Sequence, residues 1–382
     1  MQRANKSNNH SHFSKKVVMI KSNLIDIDTR LMKEYDTLKK FGYDVALLCW
    51  NRERKSDLGD YHLKIQPLNL KGPYGIKSLI LLPIWNLFVL YKLMVCEYDI
   101  IHVINFDSYL PSLIASKIRR KVVIYEIEDT YEDQIKLPTI IRIFSLGFDK
   151  FFLKFADGII LVDECQINEF KGLGHPNIQI VYDSPPDMSR KFQQKMTDKK
   201  TFTIFYPGVL DKARMLNLNL IIQLVEKMDS VHLIISGYGD QVEDIKNKSA
   251  TMPEKMKYIG WIPDRQEMFN MMHDADITFA LKDPSVPLNR YICGSKLFEA
   301  MMCSIPIIVN KNSSAALKVK KHNCGIVVDA NDQFEIELAL IMFIKNPALR
   351  EQLGNNGRRT YETIYDWDFM EERIQHVYKN AL

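Results

Sequence analysis

Residues 289–306 read NRYICGSKLFEAMMCSIP. Gly294 and Ser295 open a helical stretch that runs to about Cys303, and Ile305–Val309 (IPIIV) then reads as a buried strand. A helix start presents unpaired N–H groups and partial positive charge. Lys296 adds a full charge in that first turn. A lysine there opposes the helix dipole, so an anionic ligand such as a diphosphate accounts for it. Glu299 follows three residues on and can accept hydrogen bonds from two vicinal ribose hydroxyls. An ordinary surface helix with a Lys–Glu pair, worth a few tenths of a kcal/mol, gives the same string.

On both sides of this stretch, short apolar runs alternate with helical runs through nearly the whole chain. Lys16–Ile20, Tyr43–Cys49, Ile100–Ile104, Val122–Tyr125 and Gly158–Val162 read as strands, with a helix over Asp28–Phe41. Around Ser189–Lys200 the pattern lapses into SRKFQQKMTDKK. It resumes with strands at Thr201–Tyr206, Val231–Ser236, Tyr258–Ile259, Asp276–Ala280 and Gly325–Val328, and a helix near Leu218–Met228. This cadence predicts an α/β chain of two doubly wound Rossmann-like domains facing a cleft. The expected parts are a flexible arm (1–14), an N-terminal Rossmann-like domain (15–190), a linker (191–200), a C-terminal Rossmann-like domain (201–364) and a terminal helix (365–382) crossing back to the first domain. The run 231–239, VHLIISGYG, ends a strand in Gly237 and Gly239, which let backbone amides approach a phosphate or base.

Bulk properties exclude several classes. The chain has 382 residues, more than one core usually supports. Hydrophobic residues make up 46% and charged residues 26%, which is ordinary for a globular chain. The net charge of +4 is too small and too diffuse for a nucleic-acid partner. Six cysteines form no C-x-x-C pair, so neither a disulfide framework nor a zinc site is expected, and a cytoplasmic setting is read. Residues 76–96 (IKSLILLPIWNLFVLYKLMVC) are strongly apolar, yet Lys77, Pro83, Asn86 and Lys92 interrupt them. They read as a buried helix or as an interfacial helix, with Trp85 and Phe88 toward lipid in the second case.

The series Tyr206-Pro-Gly208, Arg214, Ser236–Gly239, Tyr258–Trp261, Ala275–Ile277, Ser295–Met301 and Ser304–Pro306 resembles the C-terminal domain of the family-4 retaining glycosyltransferases, which have the two-domain GT-B fold. The resemblance covers nearly all of residues 201–380. It implies a nucleoside diphosphate sugar as donor and a glycan or lipid-linked acceptor, as in cell-surface polysaccharide or glycoconjugate synthesis. Glu299 matches the second glutamate of the family's E-x7-E signature, and Tyr291 stands where the first belongs. Gly294 and Ser295 match the loop that meets the diphosphate, and Gly260 and Trp261 the groups around the base. Arg214 takes the place of a phosphate-facing lysine, Val209 that of an arginine, and Lys296 belongs to a K-L-F-E subgroup. Gly208, Gly237 and Gly239 complete the implied donor set.

The first domain resembles the family less closely. Asp28-Thr-Arg30 matches a D-x-R after the first strand, and Tyr98–Pro111 matches a histidine-bearing segment, with His102 kept and Asn105 in place of an aspartate. Ile124–Glu132 carries Glu128 and Asp129 where the family has histidine and glutamate. By resemblance Arg214, Lys296, Glu128 and His102 are the catalytic candidates, and Asp28, Arg30, Asn105 and Asp129 face the acceptor. His102 in an apolar strand also reads as a core histidine. Glu126, Glu128, Asp129, Glu132 and Asp133 read as an acidic loop, too dense for a core. D-x-D strings at Asp26–Asp28 and Asp274–Asp276 are not read as metal sites, and no cofactor is expected. A nucleotide-sugar epimerase and a catalytically silent partner subunit of the same fold remain alternatives.

Overall fold

The computed structural model describes residues 14–22, 28–54, 64–73, 75–128, 147, 150–170, 174–192, 201–282 and 288–382. The N-terminal half builds one parallel sheet from β1 (Lys16–Lys21), β2 (Asp44–Cys49), β3 (Ile100–Ile104), β4 (Val122–Ile127), β5 (Gly158–Leu161) and β6 (Ile178–Ile180). Their spatial order is β2-β1-β3-β4-β5-β6. Strands β3, β4 and β5 are almost wholly buried because helices cover both faces, which is why they read as unbroken apolar runs.

The second half contributes β7 (Phe202–Val209), β8 (Val231–Tyr238), β9 (Met256–Tyr258), β10 (Thr278–Ala280), β11 (Ile307–Asn310) and β12 (Gly325–Val328). These form two three-stranded sheets, β7-β8-β9 and β10-β11-β12. An Ile204–Ile277 bridge, with the Phe205 amide donating to the Ile277 carbonyl at 3.1 Å, joins β7 to β10. The result is a doubly wound layer whose order reverses between β7 and β10, where such folds place ligands.

The expected linker largely falls outside the described residues, as does the N-terminal arm. The chain closes on itself at its end. A helix over Pro347–Thr360 passes through a π turn at Tyr361–Tyr365 into a helix over Trp367–Ala381. That last helix lies on the first domain's sheet. Asn177 Nδ2 donates to the Val377 carbonyl at 2.9 Å, Arg373 to the Ile180 carbonyl at 2.7 Å, and Trp367 Nε1 to Thr37 Oγ1 at 3.1 Å. Gly158 permits this docking, because a β-carbon there would come within 2.6 Å of the Val377 side chain.

The apolar 76–96 segment forms a 3-10 turn (Gly75–Ile80) and a helix (Leu82–Val95) with Pro83 in its first turn, where a missing N–H costs nothing. Trp85, Val89 and Leu93 make its buried stripe. Trp85 stacks on Trp50 at 5.9 Å and donates to Ser108 Oγ at 3.0 Å. The expectation that Trp85 faces lipid is therefore corrected: its indole finds a core partner for both its ring and its N–H. The opposite face, with Ile84, Leu87, Tyr91 and Val95, is exposed. No helix among the described residues is long and apolar enough to cross a membrane.

Candidate active site

The helix over Ser295–Met302 begins at Gly294, whose extended backbone leaves the first turn without a side-chain cap. Its N–H groups point out of the carboxyl edge of the second domain. The end of β7 comes to the same place. Lys296 Nζ lies 4.0 Å from the Tyr206 ring centroid and 2.7 Å from the spot a β-carbon on Gly208 would occupy. Gly237 is required beside it, since a β-carbon there would overlap the Gly208 carbonyl oxygen. Sequence reasoning missed one neighbour: Lys282 Nζ would sit 3.1 Å from a β-carbon on Gly294. Two lysines thus flank the start of one helix, a concentration of positive charge suited to a diphosphate. No local motif marks Lys282, because it reaches the site from the end of β10.

Glu299, one turn further, is buried. Its Oε1 stands 3.8 Å from Arg265 Nη2, a second neighbour the sequence did not announce. Tyr291 ends a short helix (Leu288–Tyr291) and is half-buried. Gly260 has a positive φ of 81°, and its carbonyl accepts from the Gly237 amide at 3.0 Å and Ser236 Oγ at 2.8 Å. Beside it the exposed Trp261 meets Tyr238 edge-on at 5.0 Å. Arg214 lies in the helix over Lys212–Lys227, and its side chain is outside the described residues.

The first-domain candidates divide. His102 is fully buried, with Nε2 3.0 Å from Glu126 Oε2 and Nδ1 2.9 Å from the Tyr378 hydroxyl. Both ring nitrogens are engaged inside the domain, so the structure places this histidine in the core and not at a surface that a substrate reaches. Glu126, expected in an acidic loop, is also buried, because it sits in β4 and pairs with Arg30 Nη2 at 2.6 Å. Arg30, expected on the acceptor side, is sunk between Glu126 and Glu34, the latter 3.0 Å away. Burial and the Glu126 charge push Glu34 well above the usual carboxylate range. Glu34, His102 and Glu126 bring ligand atoms within 4.8 Å of one another, yet the Arg30 guanidinium already supplies a cation there.

Nearer the edge, Asp28 caps the helix over Thr29–Lys40 by accepting from the Leu31 amide at 3.0 Å, and it pairs with Lys21. Glu128 accepts from Lys21 at 2.5 Å, and its amide donates to Asn105 Oδ1 at 3.0 Å. Asn105 holds φ 63° with ψ 160°, a backbone region populated almost only by glycine, and the Glu128 amide bond fixes its side chain there. Asp28, Asn105 and Glu128 therefore gather where β1, β3 and β4 end. Asp129 is outside the described residues.

The two carboxyl edges meet. Asp163, just beyond β5, accepts from the Cys293 amide at 2.9 Å, Ser314 Oγ at 2.6 Å and Lys318 Nζ at 3.0 Å, all from the second domain. The segment after β6 packs on the helix over Ser295–Met302, with the Tyr182 and Phe298 rings 5.6 Å apart.

Two doubly wound domains apposed in this way have the GT-B fold. Sucrose-phosphate synthase from Thermosynechococcus elongatus superposes with a TM-score of 0.71 over 96% of this chain and 98% of that one, at 16% identity. Anabaena Alr3699/HepE, in complex with UDP and glucose, gives 0.70 over 96% and 99%, at 15% identity. Residues 187–360 match the family model described as glycosyl transferases group 1, so the second half carries a domain of that kind. The phosphatidyl-myo-inositol mannosyltransferase of Mycobacterium leprae is 25% identical over 182 residues, 47% of this chain. The match takes in 46% of the relative, so the chain spans about half the length of that protein.

Proposed function

We propose that the chain is a glycosyltransferase that moves a sugar from a nucleoside diphosphate sugar to a hydroxyl of a glycan or lipid-linked acceptor, with retention of configuration. The observation that carries this reading is one cluster: the uncapped start of the helix over Ser295–Met302, Lys296 over Gly208, Lys282 beside Gly294, and the buried Glu299 one turn in. The anomeric carbon–oxygen bond to the diphosphate breaks as the acceptor oxygen bonds to the same carbon, and the departing phosphate takes the acceptor proton. Negative charge grows on the leaving group, where two ammonium groups and the helix N–H groups stabilise it. Those cations serve in place of a metal ion, so turnover should survive a chelator. Glu299 accepts the ribose hydroxyls, and the Tyr238–Trp261 pair borders the base.

The UDP and glucose bound by the Anabaena neighbour, and the lipid acceptor in the mycobacterial relative's name, support this choice of substrates. A lipid-linked acceptor calls for contact with a bilayer. The exposed apolar face of the helix over Leu82–Val95, beside exposed Ile118, Lys117 and Arg120, suits an anionic lipid surface. A thermal-shift panel of nucleoside diphosphates and their sugars tests the central claim. One member should raise the melting temperature of the wild type and fail to do so in Lys296→Ala. A panel without effect overturns the reading.

A further inference from the structure

We propose that Asp163 is a positioning residue that ties the docking of the two domains to the geometry of the diphosphate loop. This inference rests on the proposed function only in naming the loop's ligand. Asp163 is fully buried and its carboxylate is divided between the domains. Oδ1 accepts from the Cys165 amide at 3.0 Å, within its own domain. The amides of Val162 and Asp163 both donate to Gln166 Oε1, at 2.8 and 3.1 Å, so the turn carrying the carboxylate is itself braced.

Oδ2 takes three donors from the other domain: the Cys293 amide, Ser314 Oγ and Lys318 Nζ. Lys318 also donates to Ser314 Oγ at 2.7 Å and pairs with Glu164 at 3.0 Å. Cys293 immediately precedes Gly294, the cap of the helix over Ser295–Met302. The direction of the loop's backbone is therefore set by a carboxylate 130 residues away. A buried carboxylate is tolerable only while its donors are in place. Separating the domains would hydrate Asp163 and Lys318 and release the Cys293 amide in one step. Asp163 touches no substrate in this scheme; it acts through the peptide that leads into the helix.

The test uses the full chain and two variants. Asp163→Asn keeps the shape and removes the charge. Asp163→Leu with Lys318→Met removes both buried charges, so that neither is left unpaired. Hydrogen exchange of the peptide covering residues 289–297 reads the Cys293 bond directly, and calorimetry with inorganic pyrophosphate reads the loop's affinity without reference to base or sugar. The proposal expects cooperative melting in at least the double variant, exchange in that peptide faster by about tenfold, and pyrophosphate affinity lower by about fivefold or more. Unchanged exchange in a folded variant overturns it. Failure of both variants to fold also overturns it, since Asp163 would then serve the fold and not the loop. If exchange rises but the wild type does not bind pyrophosphate, the loop is still positioned by Asp163 and the diphosphate reading is what falls.

Discussion

Asp187 shows how a single residue sets a local balance. It sits where the first domain gives way to the second and holds Arg358 through two bonds, 3.1 and 2.7 Å long, while accepting the Ser189 amide at 2.9 Å. Burial pushes its carboxyl up, but the Arg358 fork and the amide outweigh that and leave it at about 2. A depressed carboxyl contributes stability that is complete above its unfolded pKa and is lost as pH falls through the folded one. Asp187→Asn should therefore cost about 1–2 kcal/mol at neutral pH. The gap between wild-type and variant unfolding free energies should narrow as pH drops from 5 toward 2, and a gap independent of pH would contradict the assignment. Glu299→Gln should weaken the donor by about 1–3 kcal/mol through loss of a charge-assisted hydrogen bond. Titration calorimetry with whichever nucleotide sugar stabilises the wild type checks it.

Among the elements, the helix over Leu82–Val95 separates two readings that its sequence could not. Both of its faces are apolar, so no hydrophobic periodicity marks which one packs. The structure buries Trp85, Val89 and Leu93 and leaves Leu87 68% and Tyr91 61% exposed. Arg119 donates to the carbonyls of Leu93 and Cys96, which brings the end of the helix over Phe106–Arg119, with exposed Ile118, alongside. Leu87→Glu with Tyr91→Glu should abolish co-sedimentation with anionic vesicles while leaving the melt unchanged. Trp85→Glu should instead remove the folded transition of the first domain, because an unpaired charge in a core costs several kcal/mol. If the exposed-face pair unfolds the protein, or leaves vesicle binding intact, the membrane reading is wrong.

For the molecule as a whole, the chain's end belongs to its beginning. Met370, Ile374, Val377 and Tyr378 are completely buried, and Tyr378 completes the bonding of His102. A chain cut after Asp366 should expose the β4–β6 side of the first sheet and lose cooperative unfolding there, as read by hydrogen exchange. Tyr378→Phe, which removes only the hydroxyl, should cost about 1 kcal/mol. A truncated chain with native protection across β4 and β5 would show that the last helix is an accessory.

The strand-and-helix cadence, the division into two domains and the helix start at Gly294–Ser295 are legible in the string of residues alone. Each depends on a local property: apolar runs long enough for a buried strand, a change of period, a glycine before a helical stretch. The same string carries the resemblance that assigns a role to Glu299. β6 was missed, because three half-buried residues carry too short a pattern to register. What the charged groups face depends on the folded arrangement. Arg30 and Glu126 look like surface or site residues in the string, and His102 reads either way; all three are sealed in a core, because each meets a partner contributed by another element. Lys282, Arg265 and Asp163 attract no notice in the string and converge on the helix over Ser295–Met302 from three separate places in the chain. The reason is physical. Secondary structure follows from the pattern of nearest neighbours along the chain, whereas the solvation and pairing of a charge depend on groups brought near it only by folding.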